Sequence, residues 1–181
     1  TTEIYTLSLH DALPICSAVS ADGCIRPDTS AEGLAALKPA FALDGSVTAA
    51  TSSPLTDGAS AVLVTSEDYA KAHGLKPLAI IRAIAVAGCD PDVMGMGPVA
   101  ATRKALQRAG LAIGDMDIIE LNEAFAAQAL ACADELGIDL DKTNLDGGAI
   151  ALGHPLGATG ARITGKRSEE HTSELQSRET I

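Results

Sequence analysis

Aromatic residues are scarce in this sequence, and tryptophan is absent. Phenylalanine and tyrosine make up 2% of the 181 residues, while hydrophobic residues of all kinds make up 46%. This composition argues against a core built on large rings and favours helices packed tightly against a sheet through small side chains. The apolar content is enough for one ordinary domain or parts of two.

Long apolar runs are also missing. None reaches the length of a membrane span, which predicts a protein without a transmembrane segment. The first fifteen residues lack the basic start and the apolar stretch of a signal peptide. Residues 1–15 and 167–177 instead look like translated sequencing adapters, so we expect the native part to be about 16–166, an internal fragment of a longer protein.

Basic residues are outnumbered by acidic ones. The chain has 13 Lys and Arg against 24 Asp and Glu, a formal net charge of −11, and residues 16–166 alone have 11 against 18, or −7. A nucleic-acid surface needs clustered cations, so nucleic acid is excluded as a partner. An anionic ligand would require local basic groups or helix N-termini.

The four cysteines show no pairing pattern. Cys16, Cys24, Cys89 and Cys132 form no C-x-x-C motif, and no histidine lies at metal-ligand spacing from them. This predicts no metal and a reduced, cytoplasmic setting. Cys132 lies on the apolar side of a predicted helix and is expected in the core.

A glycine-rich stretch, residues 144–163, contains the main chemical candidate. His154 is followed by Pro155, and a helix from about residue 158 would place Pro155 in its first turn with the imidazole at its mouth. There a neutral imidazole could act as a general base beside free N–H groups. The other interpretation is a packing histidine in a tight turn. The glycine spacing matches neither a dinucleotide fingerprint nor a P-loop, which argues against a nucleotide-dependent oxidoreductase.

A second candidate stretch is residues 121–126, Leu-Asn-Glu-Ala-Phe-Ala. The apolar run 116–121 predicts a strand that delivers Asn122 to its carboxyl end, where open α/β sheets place their chemistry. Asn122 could also be a plain N-cap of a helix over 123–135.

Together the two stretches resemble the histidine motif and the Asn-Glu-Ala-Phe motif of the thiolases, over about residues 22–163. The resemblance implies an α/β, thiolase-like fold with α-β-α-β-α layers, incomplete here. The chain would hold the end of the N-terminal half and much of the C-terminal half. The implied segments are a non-native tail 1–15, the end of the loop domain 16–54, the last part of the N-terminal half 55–78, a truncated C-terminal half 79–166 and a non-native tail 167–181.

Alternating patterns agree with such a sheet. Helices are expected over 31–37, over 67–74 after a Ser66 cap, and from Pro98 to Gly110, with the basic residues of this last helix in solvent. Strands are expected in three short runs and residues 88–98 as a loop. The runs are 45–50, 59–64 and 79–86, of which 59–64 is expected to be buried and 79–86 covered on both faces.

The resemblance implies an acyltransferase that splits 3-ketoacyl-CoA with coenzyme A or condenses acetyl-CoA units. His154 would take the thiol proton of the cysteine that becomes acylated, and Asn122 would hold a water that, with the histidine N–H, stabilises the oxyanion. Coenzyme A is a substrate and no cofactor is expected. The implied partners are acyl-CoA and coenzyme A, and a second or fourth copy in a homodimer or homotetramer.

Four further residues fall where thiolases contact coenzyme A or the acyl chain: Arg26, Ser53, Met94 and Phe125. Arg26 can pair with a phosphate, and Ser53 can hydrogen-bond the pantetheine arm. Met94 can adapt to an acyl chain.

The sequence also departs from the family pattern. The nucleophilic cysteine motif is expected before residue 16 and the Cys-x-Gly-Gly-Gly motif after Ile163, so the fragment itself is predicted to be inactive. Asp146 replaces the usual Asn and would favour imidazolium if it faced His154. A thiolase-like protein that only binds coenzyme A or lipid is the alternative, and a purely structural domain would not explain the pair of motifs.

Overall fold

The computed structural model describes residues 21–170, with side chains described up to residue 166. In this part of the chain the 3₁₀ turns are Ala49–Thr51, Pro91–Met96, Ile113–Asp115 and Leu140–Lys142. The α-helices are α1 Ala31–Ala35, α2 Glu67–Ala72, α3 Gly97–Ala109, α4 Ala126–Leu136, α5 Ala149–Leu152 and α6 Thr159–Glu170.

Helix ends lie close to where local signals predict them. The hydroxyl of Ser66 accepts a hydrogen bond from the backbone N–H of Tyr69 at 3.2 Å and begins α2. Gly110 ends α3 and Gly137 ends α4, with φ of 70° and 67°. Only glycine adopts this left-handed conformation without steric cost, so the predicted helix end at Gly110 is confirmed, and Gly137 ends α4 in the same way.

The core lies between α3 and α4. Val99, Ala105 and Leu106 of α3 are buried, as its apolar stripe predicts, and Cys132 and Ala133 are buried on α4. The predicted core position of Cys132 is confirmed, because its side chain is 0% exposed.

Residues 88–98 are more ordered than the predicted loop. Asp90 caps the turn Pro91–Met96, and Gly95 lies against α4. The carbonyl of Gly95 accepts hydrogen bonds from Gln128 Nε2 at 3.1 Å and Cys132 Sγ at 3.3 Å. The glycine is required there, since a Cβ at residue 95 would lie 2.9 Å from the Gln128 side chain.

The strand predictions are wrong at the level of hydrogen bonding. Residues 59–64 and 79–86 contain no regular strand, and most of them are exposed, with Leu63 79% and Val86 81% exposed. The carbonyls of Ile84 and Val86 accept from Arg108 and Lys104 of α3. A strand needs a neighbouring strand along its length, and in these two runs only Ile81 is a bridge residue. The basic side chains of α3 are exposed as predicted, and all three of them, Arg103, Lys104 and Arg108, are also hydrogen-bonded.

Residues 45–50 also differ from the prediction. The segment ends in the turn Ala49–Thr51, because the hydroxyls of Thr48 and Thr51 accept from nearby backbone N–H groups. Such local bonds compete with a strand ladder.

Strand pairing among residues 21–170 is limited to three isolated bridges. Ser52 pairs with Phe125 in antiparallel fashion, and Leu55 pairs with His154 and Ile119 with Thr143 in parallel fashion. The predicted strand 116–121 is reduced to the last of these. All three bridges lie around the two motifs, so they position the candidate site.

Two predicted helix starts need correction. Helix α4 begins at Ala126, because Phe125 is extended with φ of −141°, so Asn122 is not its N-cap. Helix α6 begins at Thr159, so Pro155 lies four residues before it rather than in its first turn. The carbonyl of Pro155 still accepts from the N–H groups of Ala158 and Thr159 at 2.8 and 2.9 Å. Helix α6 continues to Glu170, past the predicted junction at 166.

Candidate active site

Asn122 and His154 are in contact. The amide Nδ2 of Asn122 lies 3.4 Å from Nε2 of the His154 imidazole, and both residues are half-buried. The two side chains come from motifs 32 positions apart. The amide of Asn122 and the imidazole of His154 thus face each other.

The backbone of His154 is fixed by the segment that contains Leu55 and Thr56. Its N–H donates to Thr56 Oγ1 at 3.1 Å, next to the bridge between Leu55 and His154. Gly153 has φ of 94°, and a Cβ there would lie 2.5 Å from Thr56 Oγ1. Residue 153 must therefore be glycine for both conformation and space.

The imidazole has a second contact on its other nitrogen. His154 Nδ1 lies 2.8 Å from the hydroxyl of Thr159, the first residue of α6. Thr159 is buried, and its hydroxyl also bonds the Pro155 carbonyl at 3.1 Å. The ring is therefore held from both sides, by Asn122 and by Thr159.

Asn122 is positioned through its neighbour Leu121. The side chain of Asn144 accepts from the Leu121 N–H at 2.9 Å and donates to the Leu121 carbonyl at 2.8 Å. The N–H of Asn144 also donates to the Ile119 carbonyl at 2.9 Å. Asn144 therefore continues the pairing between Ile119 and Thr143 by one more step.

Glu123 links the two motifs. Its carboxylate accepts from Asn144 Nδ2 at 2.8 Å and from the backbone N–H of Ile150 at 3.2 Å. It lies directly over Gly148, where a Cβ would be 2.0 Å from the carboxyl carbon. The Glu that follows Asn122 thus holds the start of the glycine-rich stretch in place.

A depression of about 490 Å³ opens beside His154. It is lined by Leu55, Thr56, Asp57, His154 and Leu156. Leu55 and Leu156 are 93% and 74% exposed, which gives the mouth an apolar rim. The depression can accept a small acyl group next to the imidazole.

Two of the four predicted contact residues lie beside the pair. The N–H and hydroxyl of Ser53 donate to the Ala124 carbonyl at 3.1 and 3.2 Å. Phe125 packs edge-on against Phe41, with ring centroids 6.3 Å apart. Ser53 therefore borders the Asn-Glu-Ala-Phe segment, and Phe125 is the last residue of that segment.

The other two residues are further out. Met94 is 77% exposed in the turn Pro91–Met96, and Arg26 is exposed in a loop. No hydrogen bond or ion pair among the described residues joins either of them to Asn122 or His154.

Asp146 forms an ion pair with Lys166 of α6. The Oδ2 and Nζ atoms lie 3.2 Å apart, and Lys166 also lies 3.4 Å from Glu120 Oε1. The ammonium group of Lys166 is thus shared between the carboxylates of Asp146 and Glu120.

Sequence reasoning did not identify three positioning residues, Thr56, Asn144 and Thr159. Each is a small polar residue whose partner is distant in sequence or separated by a turn. Asn144 and Thr159 lie within the glycine-rich stretch 144–163, but residue type and spacing do not indicate which distant groups they, or Thr56, would contact. The role of Glu123 was likewise seen only as part of a motif.

The described residues form neither a metal-binding cluster nor a membrane-spanning helix. Residues 21–170 contain no group of three or more His, Cys, Asp or Glu side chains arranged to hold a metal ion. None of the helices they form is both long and apolar enough to cross a membrane. Cys24, Cys89 and Cys132 are free thiols, and Cys16 lies outside the described residues.

Two family models match the chain. One described as "Thiolase, C-terminal domain" matches residues 75–179, and one described as "Thiolase, N-terminal domain" matches residues 2–68. The chain belongs to the thiolase family.

Curated relatives of this thiolase-family chain are named 3-ketoacyl-CoA thiolase. The protein of Shewanella loihica is 60% identical over 166 residues, and that of Pseudoalteromonas atlantica is 57% identical over 166 residues. In both cases the match covers 90% of this chain and 43% of the relative. The chain thus spans less than half the length of the curated relatives it matches.

Solved structures give the same picture. Human mitochondrial 3-ketoacyl-CoA thiolase matches with a TM-score of 0.77 and 46% identity over 84% of this chain and 39% of that one. The same enzyme in complex with CoA matches with a TM-score of 0.76, 44% identity, and 86% and 39% coverage. The acetyl-CoA acetyltransferase of Bacillus anthracis matches with a TM-score of 0.78, 47% identity, and 86% and 40% coverage. The predicted α/β, thiolase-like fold is confirmed as a partial thiolase fold.

Proposed function

We propose that this chain is the His154 and Asn122 part of an acyltransferase that cleaves 3-ketoacyl-CoA with coenzyme A, or condenses acetyl-CoA units in reverse. One observation carries the proposal. The amide of Asn122 and the imidazole of His154 meet at 3.4 Å, and His154 lines a depression large enough for an acyl group. Packing alone does not require these two polar groups to converge there.

His154 acts on the thiol of a cysteine. Its Nε2 takes the S–H proton, and the thiolate attacks the C3 carbonyl of the 3-ketoacyl-CoA. The resulting oxyanion collapses with cleavage of the C2–C3 bond, and the electron pair leaves as the enolate of acetyl-CoA, which is protonated at C2 by a second cysteine. The second cysteine, now a thiolate, takes the proton of the coenzyme A thiol, whose sulfur attacks the acyl-cysteine. The shortened acyl-CoA is released, and the first cysteine leaves as a thiolate and recovers its proton from His154.

Asn122 acts on the oxyanion. Once Nε2 carries the proton, its N–H and a water held by the Asn122 amide can donate to the negative oxygen. The acceptor that we propose for that water is the Oδ1 atom of Asn122, which is buried and has no hydrogen-bond partner among the described residues. Loss of one such donor costs about 3–4 kcal/mol in the barrier.

Coenzyme A is proposed to bind as a substrate, with no cofactor. The neighbouring human structure contains CoA. Ser53 and Phe125 are proposed to contact its pantetheine arm, Arg26 a phosphate and Met94 the acyl chain. The Ser53 hydroxyl donates to Ala124 but can still accept a hydrogen bond.

We also propose the segment boundaries at residues 15, 54, 78 and 166, and adapter-derived tails outside residues 16–166. For the whole protein we propose a homodimer or homotetramer and a cytoplasmic location.

The acyl-accepting cysteine is proposed to be none of the described cysteines. Cys132 is fully buried against the Gly95 carbonyl, and the Cys89 thiol points to the Met94 carbonyl at 3.8 Å. We propose, as the family resemblance implies, that the 181-residue chain by itself does not turn over acetoacetyl-CoA.

A chimera tests the proposal. Residues 22–163 replace the corresponding segment of the Shewanella loihica relative, and thiolysis of acetoacetyl-CoA is measured. We expect activity, a fall in kcat of about 10²–10⁴-fold for His154→Ala, and about 10²–10³-fold for Asn122→Ala. Lys71→Ala, in an exposed ion pair on α2, is the control and should change nothing.

The alternative function, binding of coenzyme A or lipid without catalysis, predicts a different result. A folded chimera would then bind acetoacetyl-CoA in calorimetry and show no thiolysis with His154 intact. That result would exclude the acyl-transfer function.

A further inference from the structure

We propose that Thr159 is a positioning residue that keeps neutral His154 protonated on Nδ1, so that Nε2 holds the free lone pair. The Oγ1 atom of Thr159 lies 2.8 Å from His154 Nδ1. At this distance one of the two atoms donates a hydrogen to the other. The surroundings of each atom decide which of them donates.

The hydroxyl hydrogen of Thr159 has an acceptor elsewhere. Thr159 Oγ1 lies 3.1 Å from the carbonyl of Pro155, four residues earlier, and a carbonyl oxygen can only accept. A threonine in a helix commonly bonds back to the carbonyl at this spacing. With its hydrogen directed to this carbonyl, the hydroxyl offers a lone pair to Nδ1, and Nδ1 carries the hydrogen.

The opposite face of the ring agrees with this assignment. Nε2 faces the Asn122 Nδ2 group at 3.4 Å, and an amide NH₂ can only donate. A hydrogen on Nε2 would place two donors against each other. Rotating the Asn122 amide by 180° would place its NH₂ group where Oδ1 now lies, buried without a hydrogen-bond partner among the described residues. Two unpaired N–H donors cost more free energy than one unpaired oxygen acceptor.

Burial makes the contact selective. Thr159 is 5% exposed, so water does not compete for its hydroxyl. The Pro155 carbonyl already accepts two backbone N–H groups, so loss of the hydroxyl does not leave this carbonyl unpaired. The side chain of Thr159 therefore acts mainly on the imidazole.

The consequence for catalysis rests on the acyl-transfer function proposed above, since a base at Nε2 needs that lone pair at neutral pH. The tautomer itself does not depend on that function. It can be measured in the 181-residue chain without any turnover, which keeps the two proposals separable.

The test is ¹⁵N NMR of the histidine side chains of the 181-residue chain at alkaline pH, where imidazoles are neutral. His154→Gln assigns the signals by their disappearance. We expect a pyrrole-type Nδ1 and a pyridine-type Nε2 for His154. In Thr159→Val both nitrogens should shift towards averaged values, because the Nε2–H tautomer becomes populated, and Thr159→Ser should restore the original pattern.

Thr164→Val is the matched control. Thr164 lies on the same helix and bonds back to the Gly160 carbonyl at 2.8 Å, but it is exposed and has no described contact with a histidine. It should leave the His154 signals unchanged. A pyridine-type Nδ1 in the unmodified chain would overturn the proposal even if Thr159→Val did not fold. Unchanged His154 signals in a folded Thr159→Val chain would overturn it as well.

Discussion

The side-chain amide of Asn144 hydrogen-bonds both main-chain polar groups of Leu121, at 2.9 Å to the N–H and 2.8 Å to the carbonyl. Asn144 has φ of 49°, a left-handed conformation that asparagine tolerates better than most residues. The side chain of Asn144 therefore makes the hydrogen bonds to Leu121 that the main chain of a paired strand would make. These bonds lie immediately before Asn122. The position of Asn122 depends on these bonds.

Asn144→Gly should destabilise the chain by about 1–3 kcal/mol. Glycine keeps the left-handed backbone but removes both bonds to Leu121 and leaves the half-buried N–H and carbonyl of this residue unpaired. Asn144→Ala should lose about 1 kcal/mol more, because alanine also strains the backbone. Urea unfolding followed by circular dichroism measures both changes.

Equal stability of the two variants would show that the conformation of residue 144 carries no strain. Lys71→Ala, in an exposed ion pair, is the control and should shift the unfolding midpoint little.

Gly148→Ala should be destabilised by about 1–3 kcal/mol through its contact with Glu123. A Cβ at residue 148 would lie 2.0 Å from the Glu123 carboxyl carbon, so the carboxylate must leave Ile150 N and Asn144 Nδ2. Gly157→Ala, with nothing within 4 Å of its new Cβ, is the matched control.

A double variant checks the cause. Glu123→Ala removes the obstructing carboxylate, so Glu123→Ala with Gly148→Ala should be less destabilised than the two single changes added together, by about 0.5–3 kcal/mol. Strict additivity in urea unfolding would contradict the proposed clash.

The helix ends could be predicted from sequence because their signals are local. Ser66 and Gly110 act within one turn of the helices they delimit. The resemblance of two motifs to a known family also predicted that Asn122 and His154 converge, and the contact at 3.4 Å agrees with it.

The parts of the structure that could not be predicted from sequence depend on contacts between residues that are distant in sequence. The exposed apolar runs 59–64 and 79–86 have the composition of strands, but a strand exists only with a neighbour beside it. Asn122 looked like a helix cap, yet Asn144 holds its segment extended from 23 positions away. Pattern alone does not report such distant contacts.

Gly153→Ala should cost more stability than Gly74→Ala. Both glycines have positive φ, of 94° and 63°, so both changes strain the backbone. Only at residue 153 does the new Cβ also meet another group, at 2.5 Å from Thr56 Oγ1, whereas nothing lies within 4 Å at residue 74. We expect about 1 kcal/mol for Gly74→Ala and about 2–4 kcal/mol for Gly153→Ala, measured by urea unfolding. Equal losses would mean that Thr56 moves aside freely.

Cysteine labelling tests which thiols an acyl-CoA could reach. Cys89 is exposed, while Cys132 is 0% exposed with its Sγ at 3.3 Å from the Gly95 carbonyl. Iodoacetamide should label Cys89 in the folded chain at least about a hundredfold faster than Cys132, which corresponds to a local opening free energy of about 3 kcal/mol. Mass spectrometry of peptides gives both rates, and both thiols should react alike in urea. Comparable rates in the folded chain would mean that α3 and α4 do not hold Cys132 between them. If the rates differ as expected, Cys132 is excluded as the acyl acceptor, because a thiol closed to iodoacetamide is also closed to the much larger acyl-CoA.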